Sequence, residues 1–143
     1  MSTAPNSFFT WEDSYLLHNH IIDDQHRQIA RLVDELYQSV MAHEPKEARI
    51  ECLIRLSTFA RAHFVTEEQL LRMHKYDRYL LHKAAHEGLA HGLQGLRQQV
   101  ASGERELTLE YIELIKLWVV DHFNEFDRAC EQFLSDANPA AKK

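Results

Sequence analysis

HKAAHEGLAH, residues 82 to 91, places three histidines in ten positions. An α-helix advances about 100° per residue, so His82 and His86 fall on one face, one turn apart. His91 lies about 180° from His82 on the same geometry, on the opposite face. Two imidazoles on one helical face are half of a metal site. The third belongs to solvent. What the pair does depends on what the other segments bring to the same interior.

Helical spacing continues on both sides of this stretch. Upstream, Ile22, His26, Ile29, Val33, Leu36 and Val40 recur at 3.6-residue spacing, which predicts a first helix over about 23–42. Pro45 breaks the chain and suits the first turn of the next helix. That second helix, about 46–74, carries Ile50, Leu53, Leu56, Phe59, His63, Glu67, Leu70 and Leu71 on one broad face. KYDRY is a short connection to a third helix, about 78–101. Gly103 is a stop signal and Thr108 a candidate N-cap. The fourth helix, about 108–134, turns Tyr111, Ile112, Ile115, Trp118, Val119, His122 and Phe123 inward. Residues 1 to about 20 read as an irregular arm anchored by Phe8, Phe9, Trp11 and Tyr15, and SDANPAAKK as a polar tail. Four amphipathic helices with short connections predict an all-α, up-down-up-down antiparallel four-helix bundle, a single domain over 1–143.

Composition narrows the function. A formal net charge of −6 leaves no basic face for neutralising phosphates, which excludes a nucleic-acid partner. Cys52 and Cys130 are far apart and form no CxxC, as expected for a reducing compartment. No apolar run reaches the roughly 18 residues of a membrane span. The N-terminal MSTAPNSFFTWED has neither the basic start nor the apolar run of an export signal. A cytoplasmic protein is expected. The unusual component is histidine, with ten in the chain.

Sorted by face, five of those histidines point inward: His26, His63, His82, His86 and His122, at least one from each helix. His43 and His74 sit near helix ends, where an imidazolium suits the C-terminal dipole. His18 and His20 belong to the arm, His91 to the outer face. A single inward histidine is ordinarily a hydrogen-bonded core residue. Five together with Glu67 are not, because each buried polar group costs desolvation unless partnered. Metal ions remove that cost, since imidazole nitrogens and carboxylate oxygens are their ligands. One zinc takes about four ligands and strands the rest, so two ions fit better. A second carboxylate should come from the fourth helix. Asp127, five residues after His122, requires the helix to end, bend or widen between them. Glu125 competes for the role but lies on another side of the ring.

These residues resemble the hemerythrin family. IDDQH at 22–26, HFVTEE at 63–68, HKAAH at 82–86 and HFNEFD at 122–127 fill its pattern of H, HxxxE, HxxxH and HxxxxD in order. The likeness spans roughly residues 8 to 134 and is nearest to single-domain bacterial hemerythrins. It implies a non-haem di-iron centre, two Fe2+/Fe3+ ions joined by an oxo or hydroxo bridge. His82, His86 and His122 would bind one iron, His26 and His63 the other, with Glu67 and Asp127 bridging. One coordination position then stays open on the iron held by two histidines, where dioxygen binds in this family. Ile29, Phe64, Trp118, Val119 and Phe123 would line the oxygen pocket. The implied function is reversible oxygen binding for storage, transport or delivery, with an oxygen-consuming protein as a possible recipient, rather than catalysis. The chain departs from the family with His18-Asn19 in place of a common Gly-Ile, and with Leu89 where Phe is frequent.

Other chemistries fit less well. A ferritin-like di-iron oxidase needs two ExxH pairs, and the chain has none. A zinc peptidase needs HExxH, which HEGLAH misses by one residue. Sensing, or detoxification of peroxide or nitric oxide, would use the same residues.

Overall fold

The computed structural model describes residues 8–16 and 19–137, without the side chains of Ser14, Phe126, Asp127, Glu131, Leu134, Ser135 and Ala137. A 3-10 turn at Asp13–Tyr15 precedes α1 (His20–Met41), α2 (Lys46–Met73), α3 (Tyr79–Ser102) and α4 (Leu109–His122). A π turn at Phe123–Asp127 then leads into α5 (Arg128–Ala137). Among the described residues there is no strand, and no helix is long and apolar enough to cross a membrane. The molecule is a four-helix bundle whose fourth rod consists of α4, the π turn and α5. α1 packs on α2 and α4, and α2 packs on α3.

Local chemistry sets the ends of these rods. α1 starts before the expected residue 23, because the Asn19 side chain accepts from the N–H groups of Ile21 and Ile22, both at 3.1 Å. His20 is therefore helical and exposed rather than part of the arm, while His18 lies outside the described residues. Pro45 occupies the N-cap position rather than the first turn. Thr108 is at the N-cap of α4 with extended backbone, but its side chain makes no capping bond. α3 closes on Gly103, whose φ of 83° is the left-handed conformation that a Cβ resists.

Leu36, Leu53, Leu56, Ile112 and Ile115 are essentially inaccessible and form the apolar body. Each such side chain contributes about 1.5–3 kcal/mol of burial free energy. The arm is fastened across this body. Phe8 stacks on Tyr37 with ring centroids 4.4 Å apart, and its carbonyl accepts from Lys116 Nζ at 2.6 Å. The Phe9 N–H donates to Asp34 Oδ1 at 2.6 Å.

The topology decides where the histidines meet. His26 is near the start of α1, His63 near the end of α2, His82 and His86 near the start of α3, and His122 at the end of α4. Those positions share one end of the bundle only because successive helices run antiparallel.

Candidate metal centre

Glu67 is the hub. Its side chain, on α2, is wholly inaccessible, and its two oxygens face different partners. Oε1 lies against His82 Nε2 and 3.1 Å from His86 Nε2. Oε2 lies 3.4 Å from His26 Nε2 and 3.3 Å from His63 Nε2. Within each side the nitrogens also converge, with His26 Nε2 3.0 Å from His63 Nε2 and His86 Nε2 3.1 Å from His122 Nε2. The ligand atoms thus fall into two groups, one of Glu67, His82, His86 and His122, the other of His26, His63 and Glu67. All six side chains are buried.

Burial pushes the Glu67 carboxyl up. Hydrogen bonds with the imidazoles of His26, His63, His82 and His86 outweigh that effect and hold it well below the usual carboxylate range. The group is therefore an anion in a dry interior, which demands positive charge beside it.

The outer edges of two rings show what kind of charge fits. His86 Nδ1 donates to Glu68 Oε2 at 2.7 Å, and His63 Nδ1 donates to Gln25 Oε1 at 2.7 Å. A neutral imidazole that donates through Nδ1 presents a bare lone pair at Nε2. When the ring is neutral, His86 Nε2 points that lone pair at a carboxylate oxygen and another imidazole nitrogen, so a cation takes the place of the protons that otherwise link these atoms. Acceptors facing acceptors in a buried space define a cation position. Nitrogen and carboxylate donors suit zinc or a first-row transition metal such as iron rather than a hard oxygen-seeking ion. One oxygen of Glu67 for each group is the arrangement of a bridging carboxylate.

The structure brings together His26, His63, Glu67, His82, His86 and His122, six of the seven residues singled out in the sequence. Asp127 belongs to the π turn, and its side chain lies outside the described residues. The expected irregularity after His122 is that turn, where the Arg128 N–H bonds to the Phe123 carbonyl five residues back. Glu125 is exposed and lines a groove beside α3 and α4, and neither group includes it. Sequence reasoning passed over Gln25 and Glu68. Each is the chain neighbour of an inward residue, so its Cα lies off the apolar stripe and only the long side chain reaches back. Their one signal was a polar residue flanking a candidate ligand.

Beside the centre is an apolar cavity of about 30 Å³, roughly one small molecule in size. Ile29, Phe64, Trp118, Val119 and Phe123 all line it, and His63 and His122 reach its wall. Phe64 stacks on His86, with centroids 4.1 Å apart and planes 12° from parallel. Leu89, Trp118 and His122 also border the outer groove, so they form the partition between cavity and solvent.

Fold and site together define a helical bundle whose histidine and carboxylate side chains at one end could hold cations. The family model described as the hemerythrin HHE cation binding domain matches residues 17–129, and the chain belongs to the hemerythrin family. That family is known for oxygen binding at a di-iron site. The chain is 28% identical over 120 residues to a myohemerythrin of Sipunculus nudus, covering 83% of this chain and 88% of the relative. A bacteriohemerythrin of Methylococcus capsulatus is 26% identical over 106 residues, covering 74% and 80%. The crystal structure of a wild-type hemerythrin superposes with a TM-score of 0.84 at 25% identity, covering 90% of this chain and 99% of that one.

Proposed function

We propose that this chain binds dioxygen reversibly at a non-haem di-iron centre, as a store or carrier of oxygen rather than an enzyme. The observation that carries the reading is the division of Glu67, one oxygen to His82 and His86 and the other to His26 and His63. In this reading His82, His86 and His122 would hold one iron and His26 and His63 the other, with Glu67 and Asp127 as the carboxylates shared between them. When bound, the irons would supply the electrons that dioxygen takes up on binding and returns to them on release. The protein supplies the surroundings. Ile29, Phe64, Trp118, Val119 and Phe123 keep water and protons out of the cavity, which protects a reversible step from side reactions. A cytoplasmic location suits Cys52 and Cys130, far apart in the sequence and both buried.

The test is to load the protein with ferrous iron without oxygen, count the metal, and cycle oxygen in and out. Two irons per chain are expected, with a visible charge-transfer band that rises on oxygenation and falls on deoxygenation. His63→Ala should lose firmly held metal. A band that forms once and does not reverse overturns the carrier reading. Steady consumption of peroxide or nitric oxide with a reductant would replace it with detoxification.

A further inference from the structure

Two of the central imidazoles are supported on their outer nitrogen, and the supports differ in charge. His63 donates to the amide oxygen of Gln25 and His86 to the carboxylate of Glu68, each at 2.7 Å. The two rings belong to opposite groups, His63 beside His26, and His86 beside His82 and His122. Each bond spans neighbouring helices, from α1 to α2 for Gln25 and from α2 to α3 for Glu68. The Glu68 side chain is only 17% exposed, so its charge is weakly screened. A hydrogen-bonded carboxylate behind a ligand imidazole makes its inner nitrogen a stronger donor, whereas an amide mainly orients the ring.

We propose that Gln25 and Glu68 are positioning residues of unequal kind: both fix a ring with its lone pair turned to the centre, and only Glu68 biases the adjoining ion toward its oxidised state. The inference rests on the two-ion reading above. It makes the centre electronically lopsided. The position held by His82, His86 and His122 is the better stabilised at high charge, and the position held by His26 and His63 is the more easily reduced. The cavity borders His63 of one group and His122 of the other, so a small ligand in it lies within reach of both positions.

Three variants separate orientation from charge: Glu68→Leu removes both, Glu68→Gln keeps an acceptor without charge, and Gln25→Glu adds charge on the other side. Zinc affinity by chelator competition reads orientation without redox chemistry. Midpoint potentials of the iron-loaded protein, followed by absorbance, read charge. Glu68→Leu should weaken zinc binding about 10- to 100-fold. Glu68→Gln should lose much less affinity but raise the potential, and Gln25→Glu should lower it. Unchanged potentials in both charge variants overturn the proposal, as does a loss of zinc in Glu68→Gln equal to that in Glu68→Leu. Wild-type protein that takes up only one zinc ion overturns the two-ion reading itself, a result distinct from either.

Discussion

Phe123 lies on the imidazole of His26, with ring centroids 4.3 Å apart and planes 26° from parallel. The arm closes on the Phe123 ring, since the rings of Phe9, Trp11 and Tyr15 stand 6.3, 6.2 and 5.3 Å from it. One side chain therefore seats a candidate ligand, walls the cavity and receives the arm. Phe123→Ala should cost about 3–5 kcal/mol, the range for truncating a buried aromatic. Urea unfolding of the metal-free protein measures the loss without interference from ion binding. Phe123→Leu should recover much of it, and stability equal to wild type in the alanine variant would deny the ring this role.

Phe123 also begins the π turn, and that turn is a single extra residue in an otherwise helical rod. Deleting the exposed Asn124 should let the segment relax to an α-helix. Every residue beyond it would then rotate by about 100°. Asp127 would move to the fourth position after His122, and Cys130 and Phe133 would leave their packing against Leu71 and Tyr76. The expected result is a folded bundle that retains fewer than two irons per chain. Metal analysis beside far-ultraviolet circular dichroism reads both, and full occupancy in the deletion variant would show that the turn does not place Asp127.

An irregularity after His122 was legible in advance, though not its kind, because an acid five positions after an inward histidine cannot share its face on a regular helix. The bundle was legible for a related reason. His26, His63, His82 and His122 interrupt stripes that are otherwise Ile, Leu, Val and Phe, so one periodicity marked both core and site. The start of α1 was not, because a capping asparagine lies outside the stripe and HIID has no apolar rhythm of its own. Nor were Gln25 and Glu68. Helical periodicity places backbones, and these two act through side-chain reach.

Glycines on α3 give a paired test of the groove beside the cavity. A Cβ added at Gly88 meets nothing within 4 Å, whereas one at Gly92 comes to 3.3 Å from the Trp118 ring. Gly88→Ala should stabilise the protein by up to about 1 kcal/mol, the helix-propensity difference. Gly92→Ala gains the same propensity but must displace Trp118, so its stability should fall short of Gly88→Ala. Trp118 forms part of the partition, and its displacement should also change the rate of oxygen release. Equal stability and equal release rates for the two variants would mean that Trp118 has room to move.

Tyr15 ties the arm to pH. Its ring is buried among Phe9, Trp11 and Phe123, and its hydroxyl donates to Glu12 Oε2 at 3.3 Å. Burial, followed by the nearby Glu12 charge and that hydrogen bond, raises the phenol above its ordinary value of 10.0. The neutral form is thus favoured in the folded state. A raised folded value means that this stabilisation is complete below the unfolded value near 10 and is lost as pH rises through the folded one. Unfolding free energy should therefore fall more steeply above pH 10 in wild type than in Tyr15→Phe, which keeps the ring and lacks the proton. Tryptophan fluorescence should report the same event, because Trp11 packs edge-on to Tyr15 with centroids 5.2 Å apart. Parallel pH profiles for the two proteins would show that the phenol's ionisation is not coupled to seating of the arm.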